Sequence, residues 1–221
     1  MTSSSRTRSA GKVAANNATV TTLTDDDLSS NAQRDRRKRI LDATLVLASK
    51  GGYEAVQMRA VAERADVAVG TLYRYFPSKV HLLVSALARE FEKIDTRKKG
   101  MPPGESPIER MTMILGQITR AMQREPLLTE AMTRAFMFAD ASAAAEVDQV
   151  GKLMDSLFAR AMSDTEPTEE QLAIARVISD VWLSNLVAWL TRRSSATDVA
   201  KRLALTVELL LGGGYQDPAK A

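Results

Sequence analysis

An all-α fold is predicted by three features of this sequence. Strand patterning is almost absent, and Ala, Leu, Arg, Glu and Met are abundant. Apolar residues also recur at i, i+3, i+4, i+7 in one segment after another. The segments group into three short helices over residues 31–78 and a larger helical part over 79–212, between an arm of residues 1–30 and a tail of residues 213–221.

Composition removes several function classes. A chain of 221 residues can bury a core without covalent staples. The absence of cysteine excludes disulfides, iron–sulfur clusters and thiol catalysis, and a single histidine cannot build a His-based metal site. No Gly-x-Ser-x-Gly elbow, phosphate-binding glycine loop or His-Glu-x-x-His motif occurs, so no catalytic residues, metal or cofactor are expected. No uncharged apolar run of membrane-spanning length and no signal-like segment are seen, so a cytoplasmic protein without membrane contact is expected. Residues 1–100 hold 18 Lys and Arg against 11 Asp and Glu, whereas the remainder holds 12 against 16. The N-terminal part is the one suited to a polyanion.

The arm is rich in Ser, Thr, Ala and Asn and is expected to be disordered. A first helix over about 32–50 opens with five basic residues among Arg34 to Arg39. Its inward face is Ile40, Thr44, Leu47 and Ala48, and Gly51-Gly52 stops it. Met58, Val61, Ala62 and Ala65 make the stripe of a second helix, and Asp66-Val67-Ala68 is a tight link. Val69, Leu72, Tyr73 and Phe76 make the stripe of a third, which Pro77 ends, leaving Gly70, Thr71, Arg74 and Tyr75 outward. Two short helices joined this tightly form a helix-turn-helix, whose second helix enters the DNA major groove; the plain alternative is a small helical hairpin in a core. Gly70 weakens a helix by about 0.8 to 1 kcal/mol relative to Ala, which makes sense where another backbone approaches closely.

The run Gly70-Thr71-Leu72-Tyr73-Arg74-Tyr75-Phe76 followed by Lys79 resembles the signature of the TetR family of bacterial regulators, and the likeness covers residues 34–82. Within that family, the segments 51–81, 126–148 and 178–193 resemble the actinobacterial repressors of cholesterol catabolism. The resemblance implies a three-helix DNA-binding head and a larger ligand-binding and dimerisation domain. It also implies DNA contacts from Arg36, Arg59, Val69, Gly70, Thr71, Tyr73, Arg74, Tyr75 and Lys79. The family has Ser or Thr where Ala68 stands and often Gly where Asp66 stands, so a cap and a phosphate contact are in question there.

Ser78 can cap a connecting helix with Leu82, Leu83, Ala86, Leu87, Phe91 and Ile94 on one face, broken at Gly100–Gly104. His81 in its first turn reads as a solvated residue. Ser106-Pro107-Ile108-Glu109 matches a capping box for a helix to about Arg124, and another follows from Leu127 to about Phe138. Met113, Met122, Met132, Met137 and Phe136 concentrate here, as filled core or as the wall of an adaptable apolar pocket. The family resemblance favours a pocket, with Phe91, Trp182, Asn185 and Leu186 as further candidates. A helix over 141–163 precedes Thr168-Glu169-Glu170-Gln171, a second box that opens a helix to about Arg193, apolar nearly all round. The last helix, about 196–211, is similar. Both are explained if each packs inward and against a twin, with Val181, Trp189, Leu203, Val207 and Leu210 between subunits.

The expected partners are a double-stranded palindromic operator, a second copy of the chain, and an apolar small-molecule effector. By resemblance the effector is a steroid catabolite or its coenzyme A thioester, whose binding releases a repressor from sterol-degradation genes. A constitutive DNA-binding dimer without an effector is the alternative, and an interaction module built on the last two helices is a third.

Overall fold

The computed structural model describes Thr22 and residues 30–97, 104–163 and 165–213. The expected arm and tail fall outside these residues apart from Thr22, Ser30 and Gly213, as does the Gly100–Gly104 break apart from Gly104. The described residues form nine α-helices and one 3-10 turn, with no strand among them. They are α1 Asn31–Ala55, α2 Met58–Arg64, α3 Val69–Tyr75, α4 Lys79–Arg97, α5 Pro107–Arg124 and α6 Pro126–Met137. The turn Ala141–Ala143 then leads into α7 Ala144–Met162, α8 Glu169–Leu190 and α9 Ala196–Leu211.

Local chemistry accounts for the helix ends. Ser30 caps α1 through a reciprocal box with Gln33, and Thr168 with Gln171 does the same for α8. At Ser106 the box is only half made: its hydroxyl accepts from the Glu109 N–H, but the Glu109 carboxylate turns to the Glu105 N–H at 2.9 Å. Inside α1, Gly51 and Gly52 break the helical path, Gly52 at φ 65°, ψ −160°, a conformation open essentially to glycine. The last turn of α1 is thereby set off from the rest of the helix.

Ile40, Leu41, Val61, Ala62, Leu72 and Phe76 bury the inner faces of α1, α2 and α3 against one another, forming the head. From it α4 runs into the larger part with residues 81–88 all buried. There α4 packs on α6 and α7, α7 on α8, α8 on α9, α9 on α5 and α5 on α7, while α1 reaches across from the head to α6. By length and hydropathy α8 could cross a membrane. Its apolar residues Ala175, Ile178, Trp182 and Leu186 instead belong to this core.

Two expectations change here. His81 is buried, not solvated: its Nδ1 lies 2.8 Å from the Ser78 hydroxyl and its Nε2 3.0 Å from the Ser142 carbonyl oxygen. It ties the start of α4 to the turn before α7. Leu203 and Val207, expected between subunits, lie in the core of the single chain, because the inward stripe of α9 is Val199, Leu203, Val207 and Leu211. The outward residues are Leu205 and Leu209, with Val177 exposed on α8. Val181, Trp189 and Leu210 are partly buried against the same core.

Candidate functional site

The head carries a polar cleft of about 310 Å³ between α1 and α3. Arg36 and Arg39 line one side, Thr71, Arg74 and Tyr75 the other, and Asp66, Val67 and Ala68 close the end. Asp66 makes that turn possible: it stands at φ 53°, in the left-handed region that favours glycine and that Asp tolerates, with its carboxylate 3.7 Å from Arg39. The residue type preferred by the resembled family at this position thus has a conformational reason. At Ala68 the N-cap bond is indeed missing.

The exposed side of α3 differs from the sequence expectation by one register. Leu72, Tyr75 and Phe76 point inward, while Val69, Tyr73 and Arg74 are exposed. Phe76 is already extended at φ −139°, ψ 105°, so its side chain leaves the helical phase from which the stripe was counted. Tyr75 therefore packs, with its ring 6.4 Å from that of Phe76, although it also borders the cleft; Tyr73 stands outward at 48% exposure. A Cβ added at Gly70 would meet nothing within 4 Å, so that face of α3 is open to an approaching backbone. Arg59 is exposed on α2. Arg39 and Gln33 also line the cleft but were not among the residues singled out, although Arg39 ends the basic run and Ser30-x-x-Gln33 is itself a capping signal.

Lys79 is engaged elsewhere. Its ammonium donates to the Tyr53 carbonyl oxygen at 3.0 Å and stands 3.9 Å from the centre of the Tyr53 ring, with Glu54 at 4.0 Å. Burial holds its pKa below the ordinary lysine value, Arg134 adds to this, and Glu54 and Glu130 oppose it. Tyr53 has Arg134 on its ring as well, 4.3 Å from the centroid.

In the larger part a cavity of about 110 Å³ lies between α4, α6, α7 and α8. Phe91, Phe136, Trp182 and Leu186 line it, Phe91 and Trp182 meeting edge to face at 6.3 Å. Leu87, Val150, Met154 and Leu183 complete an apolar wall, and Thr133, Asp155, Ser179 and Asp180 add polar groups. Asp155 accepts hydrogen bonds from Ser179 and Arg176, both at 3.2 Å. Met113, Met122, Met132, Met137 and Asn185 do not line the cavity. Met132 is core, Met137 is half exposed, and the Asn185 amide donates back to the Val181 carbonyl at 2.8 Å within its own helix. The wall on α7 was missed. Gly151 there, a poor helix former with open space over its Cα, was the available signal. A second cavity, of about 160 Å³, lies between α5 and α9, with Gly116, Ala196, Ala200 and Ala204 leaving the space and Arg120 beside them.

A helix-turn-helix head with a basic, polar cleft, joined to a larger helical domain that holds an apolar cavity, defines a DNA-binding regulator. The model for bacterial regulatory proteins of the tetR family matches residues 40–86, and that for the tetracyclin repressor-like C-terminal domain matches residues 104–210. The chain belongs to the TetR family. It is similar to the HTH-type transcriptional repressor KstR of Rhodococcus jostii (strain RHA1), with 82% identity over 218 residues, 99% of this chain and 100% of the relative. A crystal structure of a TetR transcriptional regulator from Rhodococcus sp. RHA1 superposes with a TM-score of 0.77 at 33% identity, covering 85% of this chain and 100% of the other. Thermus thermophilus FadR, a TetR-family repressor solved in complex with lauroyl-CoA, shares the fold with a TM-score of 0.57 at 21% identity, over 84% and 98% of the two chains. The protein is a DNA-binding transcriptional regulator and not an enzyme.

Proposed function

We propose that the protein is a homodimeric, effector-released transcriptional repressor acting in the cytoplasm, with residues 31–78 on the DNA and residues 79–212 holding the effector and the partner copy. On this reading Thr71 and Arg74 meet base edges, with Val69 and Gly70 against them, while Arg36, Arg59, Tyr73 and Tyr75 hold the backbone. Val177, Leu205 and Leu209 support pairing through α8 and α9, which sets two heads against a palindromic site.

The observation that carries the effector half is the apolar cavity joined to the head by α4 and α6. At about 110 Å³ it falls below the roughly 300 to 1,000 Å³ of ordinary small-molecule pockets, so a large guest must part its walls. An effector that prefers the parted form shifts the protein towards it, and only such a preference can release DNA. The narrow resemblance to repressors of cholesterol catabolism and the lauroyl-CoA seated in a protein of the same fold support a steroid catabolite or its coenzyme A thioester. The test is binding to an operator selected from random duplexes, at fixed salt, with steroid acids and their coenzyme A thioesters added. Selective binding relieved by one thioester is expected. Binding that no compound relieves would leave a constitutive DNA-binding dimer.

A further inference from the structure

The contact between α1 and α6 has a defined chemistry. Along α6, Thr133 and Phe136 line the cavity, while Glu130 and Arg134 face the last turn of α1. Arg134 pairs with Glu54 at 3.1 Å and covers the Tyr53 ring at 4.3 Å. Glu130 lies 3.8 Å from Arg134 and accepts the Tyr53 N–H at 3.4 Å. From the other side Lys79, first residue of α4, holds the Tyr53 carbonyl oxygen and stands over the same ring. Tyr53 is thus gripped by two helices that both line the cavity. The side chains of Glu54, Glu130 and Arg134 are 75%, 42% and 45% exposed, so each pair alone contributes little to stability. What the cluster supplies is position: two atoms of the Tyr53 main chain and its ring are held at fixed places on α4 and α6.

We propose that Arg134, with Glu130, is the positioning residue through which occupancy of the cavity reaches the DNA-binding head, by its hold on Tyr53 and Glu54. The proposal rests on the effector reading above and adds its route. A guest that pushes Thr133 and Phe136 outward moves α6, and Arg134, next to Thr133 in sequence, is carried with it. The last turn of α1 is free to follow because Gly51 and Gly52 uncouple it from the rest of the helix.

Wild type, Arg134→Ala and Arg134→Lys are compared for affinity to the selected operator with and without lithocholoyl-coenzyme A as the probe. Probe binding is followed separately through tryptophan fluorescence, since Trp182 lines the cavity. Wild type is expected to lose about tenfold or more in operator affinity on binding the probe, within the usual range of allosteric coupling. Arg134→Ala is expected to bind the probe at the same midpoint but lose less than about twofold, with Arg134→Lys in between. Full release of Arg134→Ala would overturn the proposal. If wild type itself does not respond to the probe, the effector assignment fails separately and a ligand-free measurement decides the clasp. Amide exchange at Tyr53 and Glu54 is then expected to quicken about fivefold or more in Arg134→Ala while α8 is unchanged, as local loosening requires. Unchanged exchange at both residues would overturn the proposal.

Discussion

Trp182 donates its indole N–H to the Thr119 hydroxyl at 3.0 Å, joining a residue that lines one cavity of the larger part to a residue that lines another. Both residues are buried. Thr119→Val keeps the shape and strands the indole donor, which should cost about 1 to 3 kcal/mol in urea unfolding. Thr119→Ser should retain most of that. Equal stability of Val and Thr at this position would mean that the donor finds another partner.

Tyr73 and Tyr75 should separate cleanly. Truncating the buried Tyr75 to Ala should cost about 3 to 5 kcal/mol, as for other large aromatics in a core. Tyr73→Ala, at an exposed position, should change stability by less than about 0.5 kcal/mol. Operator titration should show the loss at Tyr73 instead. The reverse pattern would restore the outward Tyr75 of the sequence reading.

Asp66 places a carboxylate at the edge of a cleft proposed to meet phosphates. Asp66→Asn preserves a residue that tolerates the left-handed backbone and removes the charge. Operator affinity should rise, and by more at low salt than at high salt, because exposed charges are screened. A salt-independent change would point to backbone disturbance.

On α9, neighbouring leucines are expected to fail in different ways. Leu209→Glu should shift the protein to monomer in sedimentation with little change in helix content, since Leu209 is 71% exposed. Leu203→Ala should instead lower stability by about 2 to 5 kcal/mol through a core void. Dimers that survive charge at both Leu205 and Leu209 would move the interface elsewhere.

Acid should loosen two helix starts together. The Asp140 carboxyl is held below its ordinary value of 3.8 by the Ser142 hydroxyl and then its N–H, and Asp198 is held below the same value by the corresponding groups of Ser195. A folded value below the unfolded one means that each contribution is complete above about pH 3.8 and is lost as pH falls through the lower folded value. Thermal melts from about pH 5 to about pH 2 cover that window. There Asp140→Asn and Asp198→Asn should each flatten the decline, and an unaltered slope would show that other carboxylates dominate it.

Helix order and ends were legible because their causes are local. Pro77 and Pro126 bound helices, Thr168 with Gln171 opens α8, and the Gly51-Gly52 stop is where α1 leaves its helical path. The inward side of α3 was misread by one register because a seven-residue helix offers too few turns to fix a phase and Phe76 is extended. The cavity was half legible. Phe91, Phe136, Trp182 and Leu186 could be picked as large apolar residues, but Thr133, Met154 and Ser179 meet only through the packing of three helices distant in sequence. Methionine chemistry suits a filled core and a pocket wall equally, so composition alone could not choose between Met132 and Met154.

Two contacts of the grip on Tyr53 end on main-chain atoms: its N–H meets Glu130 and its carbonyl oxygen meets Lys79. Those two contacts are indifferent to much of what happens to side chains around them. The cavity wall can then be recast for a differently shaped guest, by drift at Met154 or Val150, without rewiring the mechanical connection to the DNA-reading surface. Such a division lets the sensor evolve faster than the switch.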